Sequence, residues 1–286
     1  MHALTFGGTE IIEYSNVSDP QLLHSTDAIV KVTMAGICGS DLHVYHGRET
    51  GLDHGTVMGH EFTGIVEEAG PDVKHFKKGS RVLSPFTTSC GECYYCRIGL
   101  TCRCEKGKLF GWVEKGHGLH GAQSQYIRVP MADSTLLPLS NDLDERKGLL
   151  LGDVLSTGYF CADNAGIKPG NVYAVIGCGP VGLMTIVAAK HLGAETVFAI
   201  DVVPERLAVA ENFGAIALNP SIIDIKETIL QCTKVRGADA AMEVVGSPAK
   251  LELAIDLIRP GGTLSSVGVH TATHFPFSPG KAYDKN

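Results

Sequence analysis

Four cysteines with close, regular spacing form the clearest chemical pattern in this chain. They follow C-x2-C-x2-C-x7-C and are Cys90, Cys93, Cys96 and Cys104. Four thiolates directed at one point make a closed tetrahedral zinc site with no position left for chemistry. Buried free thiols or two disulfides are the alternative, but disulfide frameworks are typical of small secreted domains, and we expect no signal peptide here. The spacing therefore predicts a structural zinc, with Cys102 outside it.

A second set of metal-ligand side chains lies away from the cysteine lobe. GICGSDLH supplies Cys38, MGHEF supplies His60 and Glu61, and GDVLSTGY supplies Asp153. A catalytic zinc takes three protein ligands and keeps a fourth position open. Cys38, His60 and Asp153 are candidates for those ligands. Because the segments are far apart in sequence, spacing alone leaves an ordinary core histidine at position 60 as an equal alternative.

A glycine-rich segment predicts a dinucleotide site. The apolar run 172–176 indicates a buried parallel strand, and Gly177, Gly179 and Gly182 then fit G-x-G-x-x-G before an apolar helix. These glycines allow a tight turn, close approach to a pyrophosphate and helix-to-strand packing. Asp201 ends the next strand, where a carboxylate would accept hydrogen bonds from both ribose hydroxyls of NAD. Glycines at an ordinary turn are the alternative, but they would leave Asp201 unexplained.

Composition limits the classes of protein to which the chain can belong. The chain has 286 residues, of which 44% are hydrophobic, enough for two cores. Its net charge of −7 gives no basic footprint, so nucleic acid is excluded as a partner. No apolar run reaches the roughly 18 residues needed to span a membrane. Nine cysteines with thiolate-metal spacing favour a reducing compartment, and we expect the cytoplasm.

The pattern of elements predicts two domains. Residues 1–153 carry short strands and glycine-rich turns, with the zinc lobe at 90–104, and indicate an irregular β-barrel. Residues 154–286 begin with a helix at 154–164 and then alternate strands and helices, which predicts a doubly wound parallel sheet. Its strands are expected at 172–176, 196–200, 238–244 and 262–267. Its other helices are expected at 181–192, 204–213 and 248–258.

Together, GHE at 59–61, the four-cysteine lobe and GCGPVG resemble the zinc-containing medium-chain alcohol dehydrogenases over the whole chain. The resemblance implies a chaperonin-10-like (GroES-like) catalytic domain and a Rossmann domain that binds NAD. Asp153 is at a position that is Cys in many members and Asp in a formaldehyde-dehydrogenase-like branch. The segment SPFTTSCGECYYC also resembles that branch.

Site roles follow from the resemblance. Cys38 and His60 match ligands of the catalytic zinc, Glu61 matches a nearby carboxylate, and Ser40 and His43 match the hydroxyl and imidazole of a proton relay. The resemblance thus implies two zinc ions per chain and hydride transfer between an alcohol, or a hydrated aldehyde, and NAD. The residues implied to contact the cofactor are Thr157, Gly177, Gly179, Pro180, Val181, Gly182, Asp201, Arg206, Val267, Gly268 and Val269.

The end of the chain raises an alternative. Family members run some tens of residues longer, so the final Rossmann strand has no counterpart here. We expect a truncated chain, or one that a second piece completes. A relative that binds zinc and cofactor but is inactive therefore remains open, as do polyol, threonine and formaldehyde dehydrogenases. A homo-oligomer is implied for full-length members.

Overall fold

The computed structural model describes residues 1–275 and 278–285. The chain divides into two compact units, Met1–Asp153 and Val154–Asn286. No helix within the described ranges is both long enough and apolar enough to cross a membrane.

Short β-strands are the main regular elements of the first unit. A five-stranded antiparallel sheet has the order β8-β3-β4-β5-β9, and two smaller hairpins pair β1 with β2 and β6 with β7. The strands are β1 (His2–Gly8), β2 (Ile11–Asn16), β3 (Ala28–Ala35), β4 (Phe62–Ala69), β5 (Arg81–Ser84), β6 (Trp112–Glu114), β7 (His117–Leu119), β8 (Tyr126–Val129) and β9 (Leu137–Pro138). The helices are α1 (Gly39–Tyr45), α2 (Tyr94–Arg97), α3 (Ala132–Thr135) and α4 (Glu145–Gly152), and Thr101–Arg103 forms a 3-10 turn.

The central pairing of this sheet is irregular. The register of β3 against β4 shifts twice, between Ile29 and Val30 and between Val32 and Met34. Such bulges bend a strand and increase its twist. The core behind the sheet includes Phe62 and Phe110, whose rings meet edge to face at 5.5 Å. The short strands and glycine-rich turns predicted an irregular β-barrel, and the structure has a bulged five-stranded antiparallel sheet with two separate hairpins.

The second unit is a parallel sheet with helices on both faces. The strand order is β12-β11-β10-β13-β14, and every pair is parallel. The strands are β10 (Val172–Ile176), β11 (Thr196–Ile200), β12 (Ile216–Leu218), β13 (Ala238–Glu243) and β14 (Ile258–Ser266). The helices are α5 (Val154–Asn164), α6 (Pro180–His191), α7 (Pro204–Asn212), α8 (Ile225–Cys232), α9 (Pro248–Leu257) and α10 (Pro279–Tyr283).

Burial on both faces explains the apolar runs in this sheet. Alternate residues of β10 enter opposite cores: Tyr173 and Val175 pack with residues of α6, whereas Ala174 and Ile176 pack with residues of α8 and α9. Side chains of a strand alternate between faces, so a strand covered on both sides must be apolar throughout. The doubly wound parallel sheet is confirmed.

The structure also corrects the sequence analysis. Strand β12 and helix α8 were not anticipated, and β14 begins at Ile258 rather than at 262. Ile258 pairs with Ala238 before a register irregularity. The strand therefore starts directly where α9 ends and includes Pro260, which a propensity argument would exclude from a strand interior.

Candidate metal centres and dinucleotide site

The four predicted cysteines converge. The sulfurs of Cys90, Cys93, Cys96 and Cys104 all lie within 4.8 Å of one another. Cys90 Sγ and Cys96 Sγ are 4.0 Å apart, and Cys93 Sγ and Cys104 Sγ are 3.9 Å apart. Thiolates at about 2.3 Å from a tetrahedral zinc lie about 3.8 Å from each other. The set therefore fits zinc, and the exposed Cys102 is not part of it.

Backbone amides lower the pKa of two of these thiols, whereas burial raises the pKa of Cys96 to about 12. Amide groups of Cys96 and Glu105 donate toward Cys93 and lower its pKa to about 6. Amides of Glu92 and Cys93 likewise lower the pKa of Cys90. Because the thiolate is the metal ligand, stabilising the anion favours coordination. All four cysteines are half-buried, and the loop around α2 and the 3-10 turn holds them.

The second predicted set also converges. One ligand atom from each of Cys38, His60, Glu61 and Asp153 lies within 4.8 Å of the other three. His60 Nε2 and Asp153 Oδ2 are 3.5 Å apart. Nitrogen and oxygen ligands on one tetrahedral zinc lie about 3.4 Å apart, so this set fits as well. Three separate segments supply it: the residue before α1, the two residues before β4 and the residue after α4.

The acidic side chains of this cluster favour binding of a cation. Burial lowers the pKa of His60, but hydrogen bonds to Asp153 and Cys38 outweigh it and raise the value to about 11. Burial, followed by the charge of Asp153, raises the pKa of Glu61. Glu61 Oε1 is buried and has no hydrogen-bond partner among the described residues. A histidine surrounded by acids and an unsatisfied carboxylate oxygen are the features that a bound Zn²⁺ would neutralise.

Asp41 supports the cluster from behind, and sequence reasoning did not assign it a role. Its carboxylate accepts the Cys38 N–H at 2.9 Å and lies 3.6 Å from His60 Nδ1. Gln123 Nε2 donates to the same carboxylate at 3.2 Å. A carboxylate on the far nitrogen of a ligating histidine fixes the ring and its tautomer. The acid at the third residue of α1 was a visible capping signal, but its contact with His60 required the fold.

Ser40 and His43 occupy one face of α1. Ser40 Oγ lies 3.3 Å from His60 Nε2, so the hydroxyl reaches the ligand cluster. His43 follows three residues later, where side chains on a helix are neighbours. Its Nδ1 is buried without a hydrogen-bond partner in the described part of the chain. Burial, and then the charge of Arg48, lowers the pKa of His43, so its imidazole is neutral near pH 7.

The glycine-rich turn has the predicted shape. It joins β10 to α6, and Gly177 has φ +100°, a conformation that favours glycine. A Cβ on Gly182 would overlap the carbonyl oxygen of Gly177, so the helix can approach the turn only without a side chain there. A Cβ on Gly179 would meet no described atom within 4 Å. That open side is where a pyrophosphate would approach the helix N-terminus, and the turn therefore fits a dinucleotide.

Asp201 follows β11 and is held in place by backbone groups. Oδ2 accepts the Cys178 N–H at 2.7 Å, and Oδ1 accepts the Val203 N–H at 2.9 Å. Arg206 Nη1 lies 3.9 Å from Oδ2. The carboxylate is thus fixed beside the glycine-rich turn, and a positive side chain lies next to it.

The other predicted cofactor residues lie in the same unit. Pro180 and Val181 open α6, Thr157 is on α5, and 267–269 directly follow β14. Carboxyl ends of parallel strands meet at one edge of a sheet, so the glycine-rich turn, Asp201 and residues 267–269 share that edge. Ligands of open α/β sheets bind there.

Comparison with known proteins agrees with this arrangement. The alcohol dehydrogenase GroES-like domain model matches residues 24–140, and the zinc-binding dehydrogenase model matches 180–286. The medium chain reductase/dehydrogenase ucsI of an Acremonium species is 42% identical over 99% of this chain and 98% of its own length. The chain belongs to the zinc-containing medium-chain alcohol dehydrogenase family. Its predicted GroES-like and Rossmann domain types are confirmed.

Solved structures extend the likeness to three dimensions. Alcohol dehydrogenase TADH from Thermus sp. ATN1 is 41% identical with a TM-score of 0.93, covering all of this chain and 82% of that one. A zinc-binding dehydrogenase of Sinorhizobium meliloti, solved with NADP, is 29% identical with a TM-score of 0.86, covering 99% of this chain and 81% of that one. Both solved chains are longer, whereas the Acremonium relative is of similar length.

Proposed function

We propose that this chain is an NAD-dependent zinc alcohol dehydrogenase that transfers a hydride between an alcohol, or a hydrated aldehyde, and NAD. The observation that carries the proposal is the mixed ligand cluster at Cys38, His60, Glu61 and Asp153 with a serine hydroxyl beside it. A purely structural metal site has no use for the hydroxyl.

The ligand set supports a catalytic role for its metal. Cys38, His60 and Asp153 would hold zinc. The Glu61 carboxylate lies close enough to bind the same metal as a fourth ligand or to be displaced from it. Bound there, zinc supplies Lewis acidity that lowers the pKa of an alcohol hydroxyl. Asp41 faces Nδ1 of His60 and would hold the imidazole ring so that its other nitrogen, Nε2, points toward the metal.

Ser40 and His43 would handle the proton. The Ser40 hydroxyl both donates and accepts, so it can take a proton at the ligand cluster and release another. His43 has a lowered pKa and is therefore a neutral acceptor at pH 7. Its Nδ1, which has no hydrogen-bond partner among the described residues, is the atom available to receive the proton.

Asp201 supports a preference for NAD over NADP. A fixed carboxylate accepts hydrogen bonds from a free 2′-hydroxyl and repels a 2′-phosphate. Arg206 is a positive charge beside this site, but it already faces Asp201, which competes for it. The Val203 N–H is also committed to Asp201. We expect NADPH to bind about 30- to 1000-fold more weakly than NADH, corresponding to roughly 2–4 kcal/mol.

Fluorescence titration with NADH and NADPH tests the cofactor preference. Asp201→Ala should reduce the ratio of the two affinities strongly, whereas Glu205→Ala, which removes an exposed acid from α7, should leave it unchanged. Equal affinities in the wild-type chain, or a ratio that Asp201→Ala does not move, would refute the assignment. Turnover with NAD is then measured on simple alcohols, polyols, threonine and formaldehyde. No turnover in a chain that binds zinc and NADH would favour the inactive relative.

A further inference from the structure

We propose that Glu243, Ser266 and His270 form a clamp that positions residues 267–269 for the nicotinamide end of the cofactor. The clamp rests on the proposed dinucleotide binding, and goes beyond it by giving His270 a positioning role. None of these three side chains is a metal ligand or part of the proton relay.

Glu243 is an anchor with no exposure to solvent. It ends β13, and its side chain is fully buried. Its Oε1 accepts the N–H groups of Val245 and Gly246, both at 2.8 Å. One oxygen of the buried carboxylate therefore fixes the turn that follows β13.

The other oxygen holds the end of β14. Glu243 Oε2 accepts the Ser266 hydroxyl at 2.9 Å and lies 3.1 Å from His270 Nε2. A carboxylate offers only acceptors, so this imidazole nitrogen carries the proton. Ser266 precedes the loop 267–269 and His270 follows it. Both ends of the loop are thus tied to one buried oxygen, and the His270 side chain, 29% exposed, covers it on the solvent side.

Backbone contacts complete the clamp. Val267 N–H and Gly268 N–H point at the Glu243 carbonyl oxygen, at 3.0 and 3.3 Å. A Cβ on Gly268 would overlap Gly246 N, and a Cβ on Gly246 would overlap Val269 O. The turn after β13 and the loop after β14 therefore lie backbone against backbone.

The same turn reaches the glycine-rich segment. A Cβ on Gly177 would come within 2.5 Å of Val245 Cγ2. The clamp therefore links the loop 267–269 to the turn that would hold the pyrophosphate, at the edge of the sheet where ligands bind. A loop ordered before binding loses less conformational entropy when the ligand arrives. Releasing the His270 end should therefore weaken binding at the nicotinamide end alone.

Two ligands and three variants test this role. NADH carries the nicotinamide ring, whereas ADP-ribose lacks it and keeps the adenosine and pyrophosphate. His270→Leu should weaken NADH binding by about tenfold, the cost of ordering the released end of the loop when the ligand binds, and leave ADP-ribose affinity within about twofold. His270→Gln keeps an N–H donor and should restore most of the NADH affinity. His274→Leu, an exposed histidine four residues further on, is the matched control and should change neither affinity.

Each outcome decides the matter. Unchanged NADH affinity in His270→Leu would overturn the clamp but leave the proposed function standing. An equal loss of NADH and ADP-ribose affinity would also overturn the clamp, because it indicates general destabilisation. If His270→Leu does not fold, Ser266→Ala removes the other side-chain donor and must weaken NADH selectively. A wild-type chain that binds neither NADH nor NADPH would overturn the proposed function and the clamp with it.

Discussion

Two four-ligand clusters lie in the first unit, and they differ in almost everything except size. The cysteine lobe uses one residue type, is half-buried and comes from a single short segment. The Cys38 cluster mixes a thiol, an imidazole and two carboxylates, and its His60, Glu61 and Asp153 are buried. Four thiolates fill the tetrahedral coordination of a zinc and leave no position open for a substrate. The mixed set differs because the Ser40 hydroxyl, a group that can carry a proton, lies next to it.

The difference teaches how each site depends on the fold. The lobe needs only its own turns to bring the sulfurs together, so metal binding and local folding are one event. The mixed cluster joins residues on three separate segments and is supported by Asp41 and Gln123. The first metal should therefore stabilise the chain, and the second should serve its chemistry.

The sharpest way to break this comparison is to remove His60. His60→Ala deletes a ligand at the mixed cluster, and the loss of several kcal/mol of Lewis-acid stabilisation should reduce kcat/KM by at least about a thousandfold. Steady-state kinetics measures this, with the exposed His24→Ala as the control. A variant that retains activity near that of His24→Ala would show that the cluster is not catalytic.

Removing a lobe cysteine should act on stability instead. Cys90→Ala should lower the melting temperature by at least about 10 °C, because structural zinc contributes folding free energy directly. Cys102→Ala, from the exposed cysteine beside the lobe, should leave it unchanged. If Cys90→Ala and His60→Ala melt alike, the division between scaffold and chemistry is wrong.

Asp41 sharpens the account of the mixed cluster. Asp41→Asn keeps the shape of the side chain but removes the charge facing His60 Nδ1, so zinc affinity at this site should fall about 10- to 100-fold. Competition with a chelator measures it. Asp72→Asn, at an exposed acid, is the control. A zinc affinity equal to that of the control variant would show that Asp41 does not support the cluster.

The smallest effect is expected at Gly36. A Cβ there would overlap Glu61 Oε2, so Gly36→Ala should displace the Glu61 carboxylate and lower activity by about tenfold or less. Gly39→Ala adds a methyl group where a Cβ would meet no described atom within 4 Å, and it should have no effect. Equal kinetics in the two variants would exclude a requirement for the position of Glu61.

The sequence predicted the parts of the molecule whose signals are local. Cysteine spacing indicated the lobe, and strand, glycine-rich turn and Asp201 indicated the dinucleotide site. Helix α8 also had a local signal that was overlooked, since Asp224 caps it and Glu227 follows three residues later. Strand β12 has three residues and is too short for a periodic pattern.

Contacts between distant residues could not be predicted in this way. Asp41 and Gln123 are 82 residues apart, and Glu243 and His270 are 27 apart. Each pair meets only because a sheet or a helix brings the segments together. The convergence of Cys38, His60 and Asp153 was likewise an expectation from family resemblance, because their spacing in sequence carries no geometric information.

Zinc content tests the central claim most directly. Elemental analysis of the purified chain should find about two zinc ions per chain, because two ligand sets fit the metal. His60→Ala and Cys38→Ala should each retain about one, held by the cysteine lobe. About one zinc in the wild-type chain, unchanged in both variants, would contradict a metal at the mixed cluster.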